Sequence, residues 1–486
     1  MVQFIPLSLK ANKDKVRASG KFRGENMSIW NEIKKDIIQD IKPSTKERKQ
    51  LMNFTEELIH DINVVLSRSG FDVVAELHGS IVHDTWISGQ QDIDVFLVIE
   101  EYSGKEQLKQ VLDILREKLD WTFTMAYAEH PYLKTEINGY KLDIVPCYRV
   151  GKNETLYSST DRTPLHTRWI DTHLKDLGDE VRLLKQFLKT LDLYGAEIKV
   201  GGFSGYLCEL LVVYYGGFYE LMRAASSWGK NEVITFTDEE PKDFKDPLIV
   251  IDPVDRHRNV ASALRKESYY HFISAANSFI KDPSMIFFEE EPVDASSERM
   301  LSILKKRPSD ILFLIIEESK ADVADVLWGQ LRKSKKALKQ KIDKKGFKVL
   351  RSTAWSNEDT RHILIFELES QDIPDVLKHI GPPAYMLDNV EEFIKIYRDN
   401  PDTIAGPEIR GDRWYVIIRR DYANIKDLMG ELLSDGGRSI GVSKKLAVRI
   451  LQHHRVLVNQ EIESYLIEGF EDFLCKWVRG RPIWIE

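Results

Sequence analysis

Gly79-Ser80, followed after eleven residues by Asp92-Ile93-Asp94-Val95-Phe96-Leu97-Val98-Ile99, is the stretch on which the reading of this chain turns. Five apolar residues after Asp94 predict a buried strand, and successive strand side chains point to opposite faces. Asp92 and Asp94 therefore share a face and can hold a divalent cation between them. The Gly-Ser turn supplies backbone N–H groups and the Ser80 hydroxyl for phosphate oxygens, at the expected start of a helix, and glycine permits close approach. A third carboxylate lies in the next strand-like segment, Tyr140-Lys141-Leu142-Asp143-Ile144-Val145. Three carboxylates can carry two metal ions, one activating an attacking hydroxyl and one shielding a triphosphate and its departing pyrophosphate. The pattern points to nucleotidyl transfer. An Asp-x-Asp alone more often ends a solvated surface strand, but that reading leaves the Gly-Ser turn and the third acid unexplained.

The 486 residues, 43% of them hydrophobic, suffice for about three domains and exclude a disordered chain. Cys147, Cys208 and Cys475 have no paired metal-ligand spacing and are too few for a disulfide framework, which fits a reducing cytoplasm. The longest apolar stretch, Leu210 to Phe218, is too short to span a bilayer, and the basic start lacks the apolar core of a signal peptide. We therefore expect a cytoplasmic protein with no membrane partner. A net charge of -8 rules out a uniformly basic coat yet permits a local basic footprint. One runs from Leu331 to Arg351, with ten Lys or Arg against the single acid Asp343, and Leu331, Leu338 and Ile342 at helical intervals.

Along the chain, residues 1–27 read as a loose, polar extension. Residues 28–168 alternate helical and strand patterns, as in an α+β head carrying all three aspartates. From 169 to 290 the spacing is mainly helical, a central neck broken at Gly201-Gly202-Phe203-Ser204-Gly205, and the acidic Pro283–Ser297 stretch is the candidate linker. Residues 295–486 begin with buried strands over 310–316 and 362–368 flanking the basic helix, add a strand at 414–418 and return to helices over 440–474. The expected class is α+β and multidomain.

Several further stretches carry a family resemblance: Ala128-Glu129-His130-Pro131-Tyr132, Asp143-Ile144-Val145-Pro146-Cys147-Tyr148, Asp161-Arg162-Thr163-Pro164, Tyr194-Gly195-Ala196-Glu197, Gly202-Phe203-Ser204-Gly205-Tyr206-Leu207-Cys208-Glu209-Leu210 and Asp252-Pro253-Val254-Asp255. In this order, from about residue 45 onward, the chain resembles the archaeal, class I type of CCA-adding tRNA nucleotidyltransferase of the polymerase-β-like superfamily. The resemblance implies that Asp92, Asp94 and Asp143 are catalytic and bind magnesium, with Asp143 nearest the primer hydroxyl. It also implies that Ser80, Thr163, His166, Lys185 and Tyr194 hold the triphosphate and sugar, and that Arg258 reads the incoming base. The first acid is commonly Glu in this family, and the position of His83 is typically Arg; we expect His83 to contact nucleotide in its place.

What the resemblance implies as activity is template-independent addition of the 3′-terminal CCA of tRNA from two CTP and one ATP. Partners would be the tRNA 3′ end with its acceptor and T-arm region, the nucleotides and a second copy of the chain, with no DNA. The basic Leu331–Arg351 stretch suits RNA phosphates, and A-form RNA is read largely by shape. Trp328, Trp355, Trp414, Tyr415, Trp477 and Trp484 fit core or interface better than RNA stacking. Two other readings remain at this level: a poly(A)-type or oligoadenylate nucleotidyltransferase, and a catalytically silent RNA-binding protein.

Overall fold

The structure, a computed structural model, describes residues 22–485 except 91, 128–129, 152–155, 238–243, 290–295, 319–321 and 468. Part of the predicted linker and Ala128-Glu129 lie outside the described residues. The chain forms two compact units, Met1–Glu291 with Arg481–Glu486, and Pro292–Gly480.

The first unit opens with helix α1 (Phe22–Ile41), so the loose extension expected over 1–27 gives way to helix at Phe22. The reason is an apolar stripe: Trp30, Ile37 and Ile41 are buried and Ile33 packs beside them, at helical spacing. Helix α2 (Thr45–Leu66) follows, its N-terminus capped by the Ser44 side chain accepting from the Glu47 N–H. Then come β1 (Val73–His78), β2 (Asp92–Ile99), α3 (Glu106–Lys118), β3 (Thr124–Tyr127), β4 (Pro131–Ile137) and β5 (Tyr140–Tyr148). They build a mixed five-stranded sheet in the order β1-β2-β5-β4-β3, with β2 and β5 parallel. The β4–β5 hairpin turns at Asn138-Gly139, both at positive φ, as a two-residue turn of this kind requires.

Alternation sorts the two faces. Ile93, Val95, Leu97 and Ile99 pack beneath α2 and α3, against Leu58, Ile62, Val111 and Leu115. Asp92 and Asp94 fall on the other face. Helices α4 (Thr163–His173), α5 (Gly178–Thr190), α6 (Gly205–Tyr215), α7 (Phe218–Ala225) and α8 (Lys266–Lys281) follow, with a two-stranded parallel pair, β6 (Glu232–Ile234) and β7 (Leu248–Val250), between α7 and α8. The expected boundary at 168/169 falls inside α4, which runs on as one helix. A second core, rich in aromatics, gathers around Phe187, Phe218, Phe279 and Phe288 and takes in Trp30. Ile483 and Trp484 pack against this core too, so the last residues group with the first unit instead of with the rest of 295–486.

The second unit contains α9 (Ser297–Lys306), β8 (Asp310–Glu317), α10 (Ala324–Lys344), β9 (Val349–Ser356), β10 (Arg361–Leu368), β11 (Val376–Pro383), α11 (Leu387–Tyr397), β12 (Thr403–Arg410), β13 (Arg413–Arg419), α12 (Ile425–Leu432), α13 (Lys444–Gln452), β14 (His454–Val458) and α14 (Phe470–Arg479). Its main sheet, β14-β8-β10-β9, is buried on both faces. Leu312, Leu314 and Ile316 meet Leu331 and Leu338 of α10, while Ile311, Phe313 and Ile315 meet Leu474 of α14. Two-sided burial explains the unbroken apolar run of β8. The basic stretch Leu331–Arg351 is not one helix: α10 ends at Lys344 and β9 begins at Val349. Strand β14 interrupts the region expected to be all helix over 440–474. A smaller sheet, β11-β13-β12, completes the unit. Trp328, Trp355 and Tyr415 are buried, consistent with core roles.

Trp30 is 2% exposed and lies 5.2 Å from both Phe218 and Phe279, ring centre to ring centre. Trp30→Ala is therefore expected to cost about 3–5 kcal/mol in chemical denaturation; a loss under about 1 kcal/mol would show that α1 is only loosely attached.

Candidate active site

The register of the first sheet places five residues in one row across five strands. His78 pairs with Asp94, Asp94 with Asp143, Asp143 with Lys134 and Lys134 with Thr124. A second row, two residues along, runs Asp92, Lys141, Glu136. Directly paired residues project to the same face, and Asp92, Asp94, Thr124, Lys134, Glu136, Lys141 and Asp143 all line one cleft of about 840 Å³. Charges alternate along the second row, but the first sets two carboxylates side by side. Burial, then Asp143 and Asp92, push Asp94 up to about 7. Like charges directly opposite in a sheet are unfavourable unless something neutralises them.

Gly79 closes this corner. Its φ of +75° is left-handed, and a Cβ there would run into the Asp94 carboxylate. Gly79 to Asp84 make successive turns where a regular helix was expected, with the His83 N–H donating to the Gly79 carbonyl at 3.2 Å. The hard oxygen donors of Asp92, Asp94 and Asp143, with Asp94 destabilised in its charged form by its neighbours, fit a hard divalent cation. Among the described residues, no three acidic, imidazole or thiol side chains already form a cage; Asp143 instead accepts from the Lys134 ammonium at 3.1 Å.

Behind the turn lies a buried chain of donors and acceptors. Lys185 Nζ donates to the Thr85 carbonyl at 3.0 Å and lies 3.2 Å from its hydroxyl. The Thr85 hydroxyl donates to Glu209 Oε1 at 2.7 Å, and His83 Nδ1 lies 3.1 Å from both Glu209 oxygens. Burial alone would raise Glu209; the His83 ring, Lys185 and Thr85 together outweigh it and hold this carboxyl below its ordinary value. Burial lowers Lys185. Glu209 thus fixes the ring of His83, whose buried Nε2 has no protein partner and whose side chain lines the cleft. Tyr194 reaches the same cleft, with the Lys189 ammonium 5.1 Å from its ring centre.

At the opposite wall, Asp161 receives the backbone N–H groups of Tyr148, Tyr157 and Ser158 at 2.8, 2.9 and 2.6 Å, which ties the end of β5 to the start of α4. That tie presents Thr163 and His166 to the cleft. His166 Nε2 donates to Asp252 Oδ2 at 2.9 Å and its ring stacks on Tyr206 at 4.0 Å. Burial outweighs Asp252 and lowers His166. Arg258, expected at the nucleotide, does not line the cleft; its guanidinium binds the same Asp252 oxygen at 2.7 Å. Ser80, His83, Asp92, Asp94, Asp143, Thr163, His166, Lys185 and Tyr194 do come together around the cleft. Glu209 and Asp252 entered the sequence reading only as members of the stretches that carry the resemblance, without a role of their own, and Lys134 had no part in it. Glu209 carried a signal, as an acid inside the apolar run of α6, where a charge survives only with partners.

Paired carboxylates and a Gly-Ser turn gathered in one cleft form the arrangement that nucleotidyl transfer needs. Residues 27–182 match the Second Messenger Oligonucleotide or Dinucleotide Synthetase domain, 179–289 the second domain of tRNA nucleotidyltransferase and 309–459 the C-terminal domain of CCA-adding enzymes. The CCA-adding enzyme of Pyrobaculum islandicum is 36% identical, over 86% of this chain and 97% of its own. That of Methanosarcina mazei is 33% identical, over 93% of this chain and 99% of its own. The chain belongs to the family of CCA-adding enzymes, which are tRNA nucleotidyltransferases. A solved structure of E. coli CdnC with ATP aligns with a TM-score of 0.42 at 18% identity over 53% of this chain and 94% of that one, too slight a likeness to argue from.

Gly79→Ala must displace Asp94, and a shift of about 1 Å at a reacting centre costs about a hundredfold in rate; we expect that loss in kcat, with a denaturation midpoint lowered by the about 1–2 kcal/mol of strain at the left-handed φ. Glu209, held below its unfolded value of 4.5, contributes stability that is present above that pH and is lost as pH falls through its folded value. Glu209→Gln should therefore destabilise the protein at pH 7, and the gap to wild type should narrow in denaturation measured near pH 4.

Proposed function

We infer that this chain completes and repairs the 3′-terminal CCA of tRNA, adding two CMP and one AMP without a template and releasing pyrophosphate. The observation that carries this is the Asp94–Asp143 pair beside Gly79-Ser80, in a chain 36% identical to a CCA-adding enzyme over nearly all of that enzyme. Asp92, Asp94 and Asp143 would hold magnesium, and two such ions supply hydroxyl activation and shielding of the leaving pyrophosphate. The turn N–H groups with the Ser80 hydroxyl, the buried Lys185 and Thr163 receive triphosphate oxygens. His83, oriented by Glu209, offers Nε2 to the same group. Tyr194 flanks the sugar. Asp143 lies nearest the attacking hydroxyl. Arg258 reads the base in concert with Asp252, whose carboxylate fixes the guanidinium fork.

Specificity for tRNA rests on its acceptor and T-arm, with exposed Lys333, Lys336 and Lys344 of α10 as phosphate contacts. The working form is a homodimer in the cytoplasm. The Second Messenger Oligonucleotide match over 27–182 favours one other reading, an oligoadenylate-type transferase, and product composition separates the two. A tRNA transcript lacking its last three nucleotides, given CTP alone and then CTP with ATP in magnesium, should gain two cytidines and then one adenosine, and Asp143→Asn should abolish extension. Adenosine tails without prior cytidine would replace this reading with the other.

A further inference from the structure

Lys134 is set opposite Asp143 by the backbone: the two are direct partners in the β4–β5 ladder, their side chains meet at 3.1 Å, and both face the cleft. The ammonium therefore sits on the carboxylate that a divalent cation needs. The row also has a direction. Asp94 abuts Gly79 and the phosphate-holding turn at one end, while Lys134 and Thr124 lie beyond Asp143 at the other. In phosphoryl transfer the attacking and leaving oxygens lie roughly in line on opposite sides of phosphorus. With the triphosphate at the Gly79-Ser80 end, the strand bearing the attacking hydroxyl approaches from the β4–β3 end, past Lys134.

We propose that Lys134 is an exchangeable counterion: it holds Asp143 until a divalent cation takes that carboxylate, and then turns to a backbone phosphate of the entering RNA strand. This rests on the reading of Asp143 as the cation-binding, primer-side carboxylate. The exchange makes chemical sense because a lysine ammonium is a flexible point charge, suited to trading one oxygen anion for another. Both side chains are partly exposed, at 49% and 36%, so the bond is weak enough to be given up. The consequence is an ordered coupling in which loading of the cation site creates a phosphate contact for the strand about to react. The shared chemistry is a phosphate oxygen; the geometry of the row assigns it to the strand and not to the incoming nucleotide.

The test uses the full chain with Lys134→Met and Lys134→Arg. Three quantities are read: Mn2+ binding by electron paramagnetic resonance of the free ion at low ionic strength, binding of a tRNA transcript lacking its last three nucleotides across a salt series, and KM for CTP. Lys134→Met should bind Mn2+ about two- to fivefold tighter, as removal of a partly exposed ion-pair partner allows, and Asp143→Asn in the same chain should remove that gain. Its transcript affinity should fall about two- to fivefold, with a salt slope shallower by about one, and KM for CTP should not move. Lys134→Arg should behave as wild type in all three. Unchanged Mn2+ affinity in Lys134→Met overturns the exchange. A raised KM for CTP with an unchanged transcript salt slope assigns the phosphate to the nucleotide and overturns the strand contact. If wild type fails to extend the transcript while the Mn2+ and salt-slope changes appear, the CCA reading falls and this inference stands.

Discussion

Two carboxylates that would repel each other are held side by side by backbone pairing. The parallel register of β2 and β5 puts Asp94 directly beside Asp143, and neither can move away without breaking a ladder anchored beneath by Ile93, Val95, Leu142 and Ile144, all 1% exposed or less. The cost falls on Asp94, whose charged form is disfavoured. The rest of the site answers that cost: a glycine at 79 because nothing larger fits against Asp94, an ammonium at 134 on Asp143, and a donor set suited to a hard cation. A fold that crowds carboxylates in a cleft makes a cation there favourable.

Around this centre the polar side chains are held by buried carboxylates. Glu209 fixes His83 and, through Thr85, links to Lys185. Asp252 holds His166 and Arg258 on one oxygen. Asp255 takes Arg162 at 2.8 Å, so the Asp161-Arg162-Thr163-Pro164 and Asp252-Pro253-Val254-Asp255 stretches are two halves of one contact. Buried acids of this kind survive because their partners repay the desolvation, and removal of one partner leaves a charge uncompensated. The loop after Gly79-Ser80 is held from outside as well: Glu47 accepts from Ser88 and Gly89, and Arg48 and Arg182 both bind Asp84.

The sequence carried the acidic sheet face because that face depends on short-range rules. Alternation over Asp92–Ile99 sets acids apart from core residues, and the run over 310–316 announces a strand buried on both sides. The Asn138-Gly139 turn that creates β4 and aligns Lys134 with Asp143 was also written locally, though its strand was not anticipated. The stripe of Trp30, Ile33, Ile37 and Ile41 likewise marks a helix, one that begins at Phe22 inside the stretch expected to be loose. In contrast, the strand at His454–Val458 has little local signature, because β14 is stabilised by β8, a partner far away in the chain.

The sequence by itself thus determined which residues could be acids on one strand face, where the glycine turn beside them lies, and which segments are core, since each follows from side-chain period and backbone freedom within a few residues. Only the tertiary structure decided what those residues touch. Glu209 reaches His83 across 126 positions, burial outweighs Asp252 and lowers His166, and Arg258 binds that same carboxylate. Charge state and partner are set by desolvation and by distances of about 3 Å, and these arise only when segments remote in sequence are folded against one another.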